Sequence, residues 1–161
     1  MPNLRDSTKK HVKGDTMSQR QKERTQWTAQ FLVAAELCRR GYVVTFTMGN
    51  CTQDYDLIVA SPEGDPFCVD VKGLALNTSW FIRKKDADNK LYYILVRVDA
   101  ERRDKDRFFI MTHGDVNKGL EIYYSKLKKD GTAKSDNVQE FNFAQAREYE
   151  DKWEILPHTG I

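Results

Sequence analysis

The chain has 161 residues, of which 40% are hydrophobic and 31% charged, and its formal net charge is +2. These values are typical of one globular domain. No apolar run approaches the roughly 20 residues that span a bilayer, and the N-terminus lacks the apolar core of a secretory signal. We therefore expect a cytoplasmic protein with no membrane partner.

The first 18 residues are polar, charged and without periodicity. This pattern predicts a disordered basic tail over residues 1–18, ahead of a single domain over residues 19–157. Residues 1–24 hold seven Lys or Arg against three Asp or Glu, so the positive charge is concentrated at this end. Such a segment is either a solvated tail or an arm that contacts phosphates.

A helix is expected to begin within Ser18–Arg24 and to run to Arg40, where Gly41 supplies a left-handed stop. Spacing at 100° per residue predicts one apolar face, which comprises Trp27, Phe31, Ala34, Leu37 and Cys38. Gln30 lies at the edge of that face, whereas Glu36 points to solvent.

A strand at Tyr42–Thr47 and a polar loop at Met48–Gln53 should follow the helix. Two more strands, Tyr55–Ala60 and Phe67–Lys72, are predicted around the turn-forming residues SPEGDP. Alternation in the last strand places Phe67, Val69 and Val71 on one face and Cys68, Asp70 and Lys72 on the other.

Two carboxylates are predicted to meet in this hairpin. Folding at the turn brings Asp56 to about the level of Asp70. Both lie within apolar runs, so each needs a partner, and two close carboxylates need a cation. Oxygen ligands of this kind favour Mg²⁺ or Mn²⁺ over zinc. Asp54 is a less favoured substitute for Asp56, and a salt-bridged strand face or a buried ion network with Lys72 would give the same pattern without a metal.

The order Asp56, then Asp70-Val71-Lys72, resembles the D…(D/E)xK motif of the PD-(D/E)XK nuclease superfamily, in particular its small resolvase-like and homing-endonuclease-like bacterial members. The resemblance implies an α/β fold with a restriction-endonuclease-like core, in which helices flank a mixed sheet of about five strands. It also implies a Mg²⁺ or Mn²⁺ ion held by Asp56, Asp70 and the main-chain carbonyl of Val71, with Lys72 orienting the attacking water.

The preceding helix extends the resemblance. Residues 29–37, AQFLVAAEL, are similar to the G-E-x-L-A-A-x-x-L helix of resolvase-like members, with Gln30 at the position of the Glu. An amide oxygen can ligate a metal or orient a water, but it brings no charge, so metal affinity or activity would be weaker. A Gln that satisfies backbone groups at the core boundary is the alternative interpretation.

The segment after Lys72 carries groups suited to nucleic acid, and relatives of this family place a substrate-contacting segment there. Hydrogen bonds to phosphates, a stacking face and positive charge are expected from Asn77, Thr78, Ser79, Trp80, Arg83, Lys84 and Lys85. Trp80 as a core anchor and the cations as an ordinary solvated loop are the alternatives.

The remaining patterns predict strands Leu91–Val98 and Arg107–Thr112, a helix capped by Asp115 that runs through Tyr124, an exposed loop Lys126–Asn137 and a short helix within Phe141–Leu156. Trp153 should anchor this end of the chain in the core. His113 is expected to cap a helix or lie at the surface.

These features together predict a metal-dependent DNA endonuclease. The alternatives are a nuclease fold whose site is catalytically degraded, which would bind DNA without cutting it, and a protein-interaction module. One small domain carries one site, so cutting both strands of a duplex would need two copies in a homodimer, whereas nicking would not.

Overall fold

The computed structural model describes residues 17–47, 54–61, 64–99, 101, 105–131 and 138–157. Most of the predicted tail and the predicted loop Met48–Gln53 lie outside these residues. No helix among the described residues is long and apolar enough to cross a membrane.

Helix α1, Gln19–Arg39, has the predicted bounds. It begins at a capping box, in which the Ser18 hydroxyl accepts from the Gln21 N–H and the Gln21 side chain accepts from the Ser18 N–H. It ends before Gly41, whose φ of 85° lies in the left-handed region that favours glycine.

The buried face of α1 differs from the predicted apolar face. It consists of Ala29, Gln30, Val33, Ala34 and Leu37. Trp27 and Phe31 are 43% and 59% exposed, and Cys38 is exposed as well. The helix approaches the sheet so closely that a Cβ at Gly73 would lie 2.7 Å from the main-chain oxygen of Thr25. Small side chains suit this contact, so the aromatic rings lie outside it.

Five strands form one mixed sheet in the order β1-β2-β3-β5-β6. Their bounds are Val43–Phe46, Leu57–Ala60, Phe67–Leu74, Leu91–Arg97 and Arg107–Thr112. Strands β3 and β5 are parallel, and the other neighbours are antiparallel. The predicted α/β class, a mixed sheet of about five strands with flanking helices, is confirmed.

Each face of the sheet packs against its own layer. The first core lies between the sheet and α1, and it includes Val69 and Val71. The second core covers the opposite face, which carries Cys68. It is closed by helix α2, His113–Lys129, and by a small antiparallel sheet of β4, Ser79–Arg83, with β7, Val138–Asn142. The predicted alternation in β3 is therefore confirmed.

The C-terminal third corrects several predictions. Thr112, not Asp115, caps α2, because Asp115 is the third helical residue and completes a capping box with Thr112. The helix continues to Lys129 and so includes the start of the predicted loop. Phe141 lies in strand β7, and a short helix α3, Phe143–Ala146, follows it. The predicted short helix is therefore present within Phe141–Leu156, but Phe141 itself lies in a strand, because β7 obtains its partner, β4, from a distant part of the chain.

Two predicted surface or anchor residues lie in defined environments. His113 is 2% exposed, and its Nδ1 accepts from the main-chain N–H of Asp88 at 3.0 Å, so the prediction of a surface histidine was wrong. Trp153 packs against the first core, with the Arg40 guanidinium 3.9 Å from its ring centroid, so it anchors the C-terminal segment as predicted.

Replacing Gly73 by Ala should separate α1 from β3. Its Cβ would lie 2.7 Å from the Thr25 oxygen and 3.0 Å from the Ala29 Cβ, and backbone cannot move aside cheaply. We expect the free energy of unfolding to fall by about 1–3 kcal/mol, as measured by urea denaturation. Gly114→Ala is the matched control, because its Cβ would meet nothing closer than 3.7 Å and Ala is the better helix former. Equal losses in both variants would contradict this account.

Candidate active site

The site lies where strand β3 extends past the first residue of its antiparallel neighbour β2. Strand β2 begins at Leu57, opposite Val69, so the later residues of β3 have no partner strand on that side. Side chains replace the missing strand. The Val71 N–H donates to Asp56 Oδ2 at 2.8 Å. The Gln26 amide then donates to the Val71 carbonyl at 2.7 Å and accepts from the Gly73 N–H at 2.9 Å.

Gln30 connects helix α1 to the first carboxylate. It is 8% exposed, and its Nε2 donates to Asp56 Oδ1 at 2.8 Å. Gln26 and Gln30 are four residues apart, so both project from the same face of α1. Gln26, and not Gln30, satisfies the backbone groups of β3. Gln30 instead contacts the carboxylate of Asp56.

Asp70 is buried between two lysines. It is 2% exposed, and its Oδ1 lies 2.6 Å from Lys72 Nζ, at ion-pair distance although not in hydrogen-bond geometry. Its Oδ2 accepts from Lys85 Nζ at 2.5 Å. Lys85 also donates to the main-chain oxygen of Asp54. The Lys85 side chain is 11% exposed and that of Lys72 32%, so Lys85 is the more enclosed cation.

Among the site carboxylates, Asp56 has a pKa that its surroundings shift. Burial raises the pKa of its carboxyl, and the nearby charge of Asp70 raises it further. The Val71 N–H, Lys72 and Lys85 act in the opposite direction, because each favours the carboxylate. The two carboxylates and two ammonium groups are formally neutral together, so this part of the site carries its own counter-charge.

Tyr93 lines the same region from strand β5, where it pairs directly with Asp70. Burial is the main reason that the pKa of its phenol is raised, and the charge of Asp70 adds to it. The ammonium of Lys85 lies 5.4 Å from the ring centroid. Tyr93 is therefore a neutral wall of the site at physiological pH.

The predicted nucleic-acid segment is divided by the structure. Trp80 is 2% exposed and stacks on Phe143 at 5.9 Å within the second core, so its ring offers no face to a base. Lys85 belongs to the carboxylate cluster. Arg83 and Lys84 are exposed, as are Asn77, whose Oδ1 accepts from Arg97, and Thr78; Ser79 is half-buried.

The donor atoms fit a hard divalent cation better than zinc. Asp56 and Asp70 offer carboxylate oxygens, and the Val71 carbonyl already accepts from Gln26. Within the described ranges, no group of three or more His, Cys, Asp or Glu side chains is placed to hold a metal. A zinc site usually needs three or four such ligands, whereas Mg²⁺ uses one or two carboxylates together with waters and substrate phosphates.

Three contacts of this candidate site, those of Gln26, Lys85 and Tyr93, were not predicted from the sequence. Gln26 had a usable signal, since it lies one helical turn before Gln30. Nothing in the sequence distinguishes Lys85 from its exposed neighbour Lys84, because both follow β4 in a polar stretch. Tyr93 is placed by the parallel pairing of β3 with β5, which the spacing of the strands does not specify.

The chain resembles known proteins in structure and not in sequence. No protein-family model and no curated protein sequence matches the chain. Among solved structures, the chain is similar to a bacterial homing endonuclease, I-Ssp6803I, at 12% sequence identity and a TM-score of 0.47. The alignment covers 83% of this chain and 90% of that one. An identity and a TM-score this low do not establish a family.

Removing the ammonium of Lys85 should destabilise the fold, because a nearly buried carboxylate would lose one of its two counter-ions. For Lys85→Met we expect a loss of about 3 kcal/mol in the free energy of unfolding, measured by urea denaturation. Lys84→Met is the control. Its side chain is 54% exposed and lies 4.0 Å from Glu121, so its loss should be below about 1 kcal/mol. Equal effects would mean that Lys85 does not compensate Asp70.

Asp56→Asn tests the raised pKa of Asp56. The asparagine oxygen can still accept from the Val71 N–H, while the charge is lost. Because the folded pKa lies above the ordinary 3.8, the folded protein binds more protons than the unfolded chain between these two values. This group's contribution to stability therefore falls as the pH rises through that interval. The wild type should lose stability relative to the variant across it, as measured by urea denaturation from about pH 3.5 to about pH 7. A relative gain would contradict the shift.

Proposed function

We propose that the chain is a metal-dependent endonuclease that hydrolyses phosphodiester bonds in DNA. The observation that carries this proposal is the convergence of Asp56, the residue before β2, with Asp70 and Lys72 on β3. Carboxylates for a divalent cation and an ammonium for a phosphate then share one partly open site.

We extend the proposal to membership of the PD-(D/E)XK superfamily. Three residues of the resembling motif, Asp56, Asp70 and Lys72, lie together. Gln30, at the position of the helix Glu, contacts the Asp56 carboxylate at 2.8 Å. These contacts support the assignment because they join the motif residues and the glutamine of the preceding helix in one place.

Asp56, Asp70 and the Val71 carbonyl would hold Mg²⁺ or Mn²⁺. Such an ion, when bound, polarises a phosphoryl oxygen and lowers the pKa of a bound water. The protein's own part is to fix the ligands. Gln30 and the Val71 N–H hold the two oxygens of Asp56, and Lys85 holds one oxygen of Asp70.

Lys72 is the residue that faces the substrate. Its side chain is 32% exposed, and its ammonium offsets the negative charge that develops on the phosphate while orienting the attacking water. Lys85 is too enclosed for that role and acts on Asp70. Arg83 and Lys84, both exposed, would contact phosphates farther along the strand.

The charge balance of the cluster indicates when the ion binds. Two lysines already neutralise Asp56 and Asp70, so a free divalent cation gains less there than it would beside two uncompensated carboxylates. A negatively charged phosphate of bound DNA adds to the attraction between the cation and the site. The metal should therefore bind most tightly together with DNA.

Supercoiled plasmid, linear duplex, single strands and branched DNA should be incubated with the protein in Mg²⁺, Mn²⁺ or EDTA. We expect cutting that requires the metal. Asp70→Asn and Lys72→Gln should each lower the rate at least about a hundredfold, because the first weakens a ligand of the metal and the second removes the ammonium that offsets charge on the phosphate. Gel analysis of products over time measures the rates.

Lys152→Gln serves as the control, because this lysine is half-exposed and its side chain pairs with Glu154 at 3.7 Å, away from the carboxylate cluster. Melting temperatures of all variants identify a loss that comes from unfolding. DNA binding without cutting in either metal would overturn the nuclease proposal in favour of a non-catalytic DNA-binding module. Nicked products would indicate a single active copy, and linear products a homodimer.

A further inference from the structure

A groove of about 930 Å³ runs from the surface to the candidate site. One wall is the N-terminal half of α1, and the other is the end of β3 with the start of β4. Gln30 and Lys72, both part of the carboxylate cluster, are among its lining residues. Whatever occupies the groove therefore reaches the site.

The walls of the groove are apolar and face each other. Trp27 on α1 is 43% exposed, and across the groove Leu76 and Phe81 are 46% and 64% exposed. Seven large apolar side chains are exposed among the described residues, and three of them line this one groove. Isolated exposed apolar residues need no explanation, but this concentration beside a site indicates binding.

The charges around the groove are mainly positive. Lys22 and Lys72 line it, and Glu23 is the one carboxylate among its described lining residues. Arg20 and Arg24 are exposed on the same turns of α1. A chain of phosphates with apolar bases matches this combination of cations and aromatic walls better than an acidic or a purely apolar ligand does.

We infer that the groove binds a single-stranded segment of nucleic acid, whose bases stack on Trp27 and Phe81 and whose backbone passes Lys72. The inference rests on the proposed function and narrows its substrate class to DNA with an unpaired end or branch. In a duplex the base faces are covered by their neighbours. Aromatic walls therefore gain stacking energy only from unpaired bases.

A second copy of the chain is the competing occupant of an apolar groove. It fits less well here, because a protein segment seated against Gln30 and Lys72 would block the site. It would also leave the cations on α1 without partners of opposite charge. A nucleic-acid strand uses both the aromatic walls and these cations.

The test measures binding without catalysis. A fluorescein-labelled oligothymidine of about 12 nucleotides and a hairpin duplex are titrated with the full chain in EDTA and followed by fluorescence anisotropy. We expect the single strand to bind more tightly than the duplex. Trp27→Ala and Phe81→Ala should each weaken single-strand binding at least about fivefold, while duplex binding changes little.

Ile122→Ala is the control, since this residue on α2 is 62% exposed, close to the 64% of Phe81, but does not line the groove. It should leave both affinities unchanged. Tryptophan fluorescence gives a second readout. Of the three tryptophans, Trp80 is buried and Trp153 packs on the core, so quenching by the oligothymidine should come from Trp27 and vanish in Trp27→Phe.

The outcomes separate this inference from the nuclease proposal. Metal-dependent cutting of duplex with unchanged single-strand binding in both aromatic variants would overturn the groove assignment and leave the nuclease intact. Weakened single-strand binding in those variants, with no cutting in any metal, would support the groove and overturn the nuclease. A dimer in sedimentation that dissociates in both variants would show a self-association face and overturn the inference.

Discussion

The candidate site depends on the completion of one strand edge by side chains. Strand β3 continues beyond β2, and buried main-chain groups left without partners there would each cost about as much as a lost hydrogen bond. The Asp56 carboxylate and the Gln26 amide supply those partners. Asp56 is therefore held at the proposed metal site by a bond that the fold itself requires. Gln30 fixes the other oxygen of that carboxylate. The same carboxylate thus serves the fold and the proposed site, and burial together with the charge of Asp70 raises its pKa.

Asp70 shows how the charge problem of paired carboxylates is handled in this fold. Two close carboxylates need a cation, and a divalent metal is the cation expected from the sequence. In the structure Lys72 and Lys85 already meet that need for Asp70, at 2.6 and 2.5 Å. The buried network that sequence analysis gave as an alternative is thus present, and it is compatible with a metal that arrives with the substrate. Both lysines pair with Asp70, but Lys72 is the more exposed of the two and is therefore the one proposed to face a phosphate.

Sequence reasoning predicted the elements whose signals are local. The bounds of α1 follow from Ser18 and Gly41, and the hairpin that joins Asp56 to Asp70 follows from its turn residues and alternation.

Predictions from the sequence failed where tertiary packing determines which side chains are buried. The predicted apolar face of α1 favoured large rings, but the close approach of the helix to Gly73 favours Ala29 and leaves Trp27 and Phe31 outside. Trp80 could not be told from a surface aromatic, since its burial depends on β7, whose pairing with β4 is not visible locally. Lys85 was predicted to bind DNA for a similar reason, because its contact with Asp70 is formed by tertiary packing.

The pairing of β4 with β7 has a consequence for the order in which the protein folds. Ser79 pairs with Asn142 and Arg83 with Val138, contacts between residues far apart in the chain. Closing such a long loop is slow, because its entropy is lost before the contact forms. Lys85 follows β4 by two residues, and β7 lies more than 50 residues later in the chain. We therefore expect the hairpin with Asp56 and Asp70 to form before β4 and Lys85 are fixed. The site would then reach its balanced charge at a late step of folding.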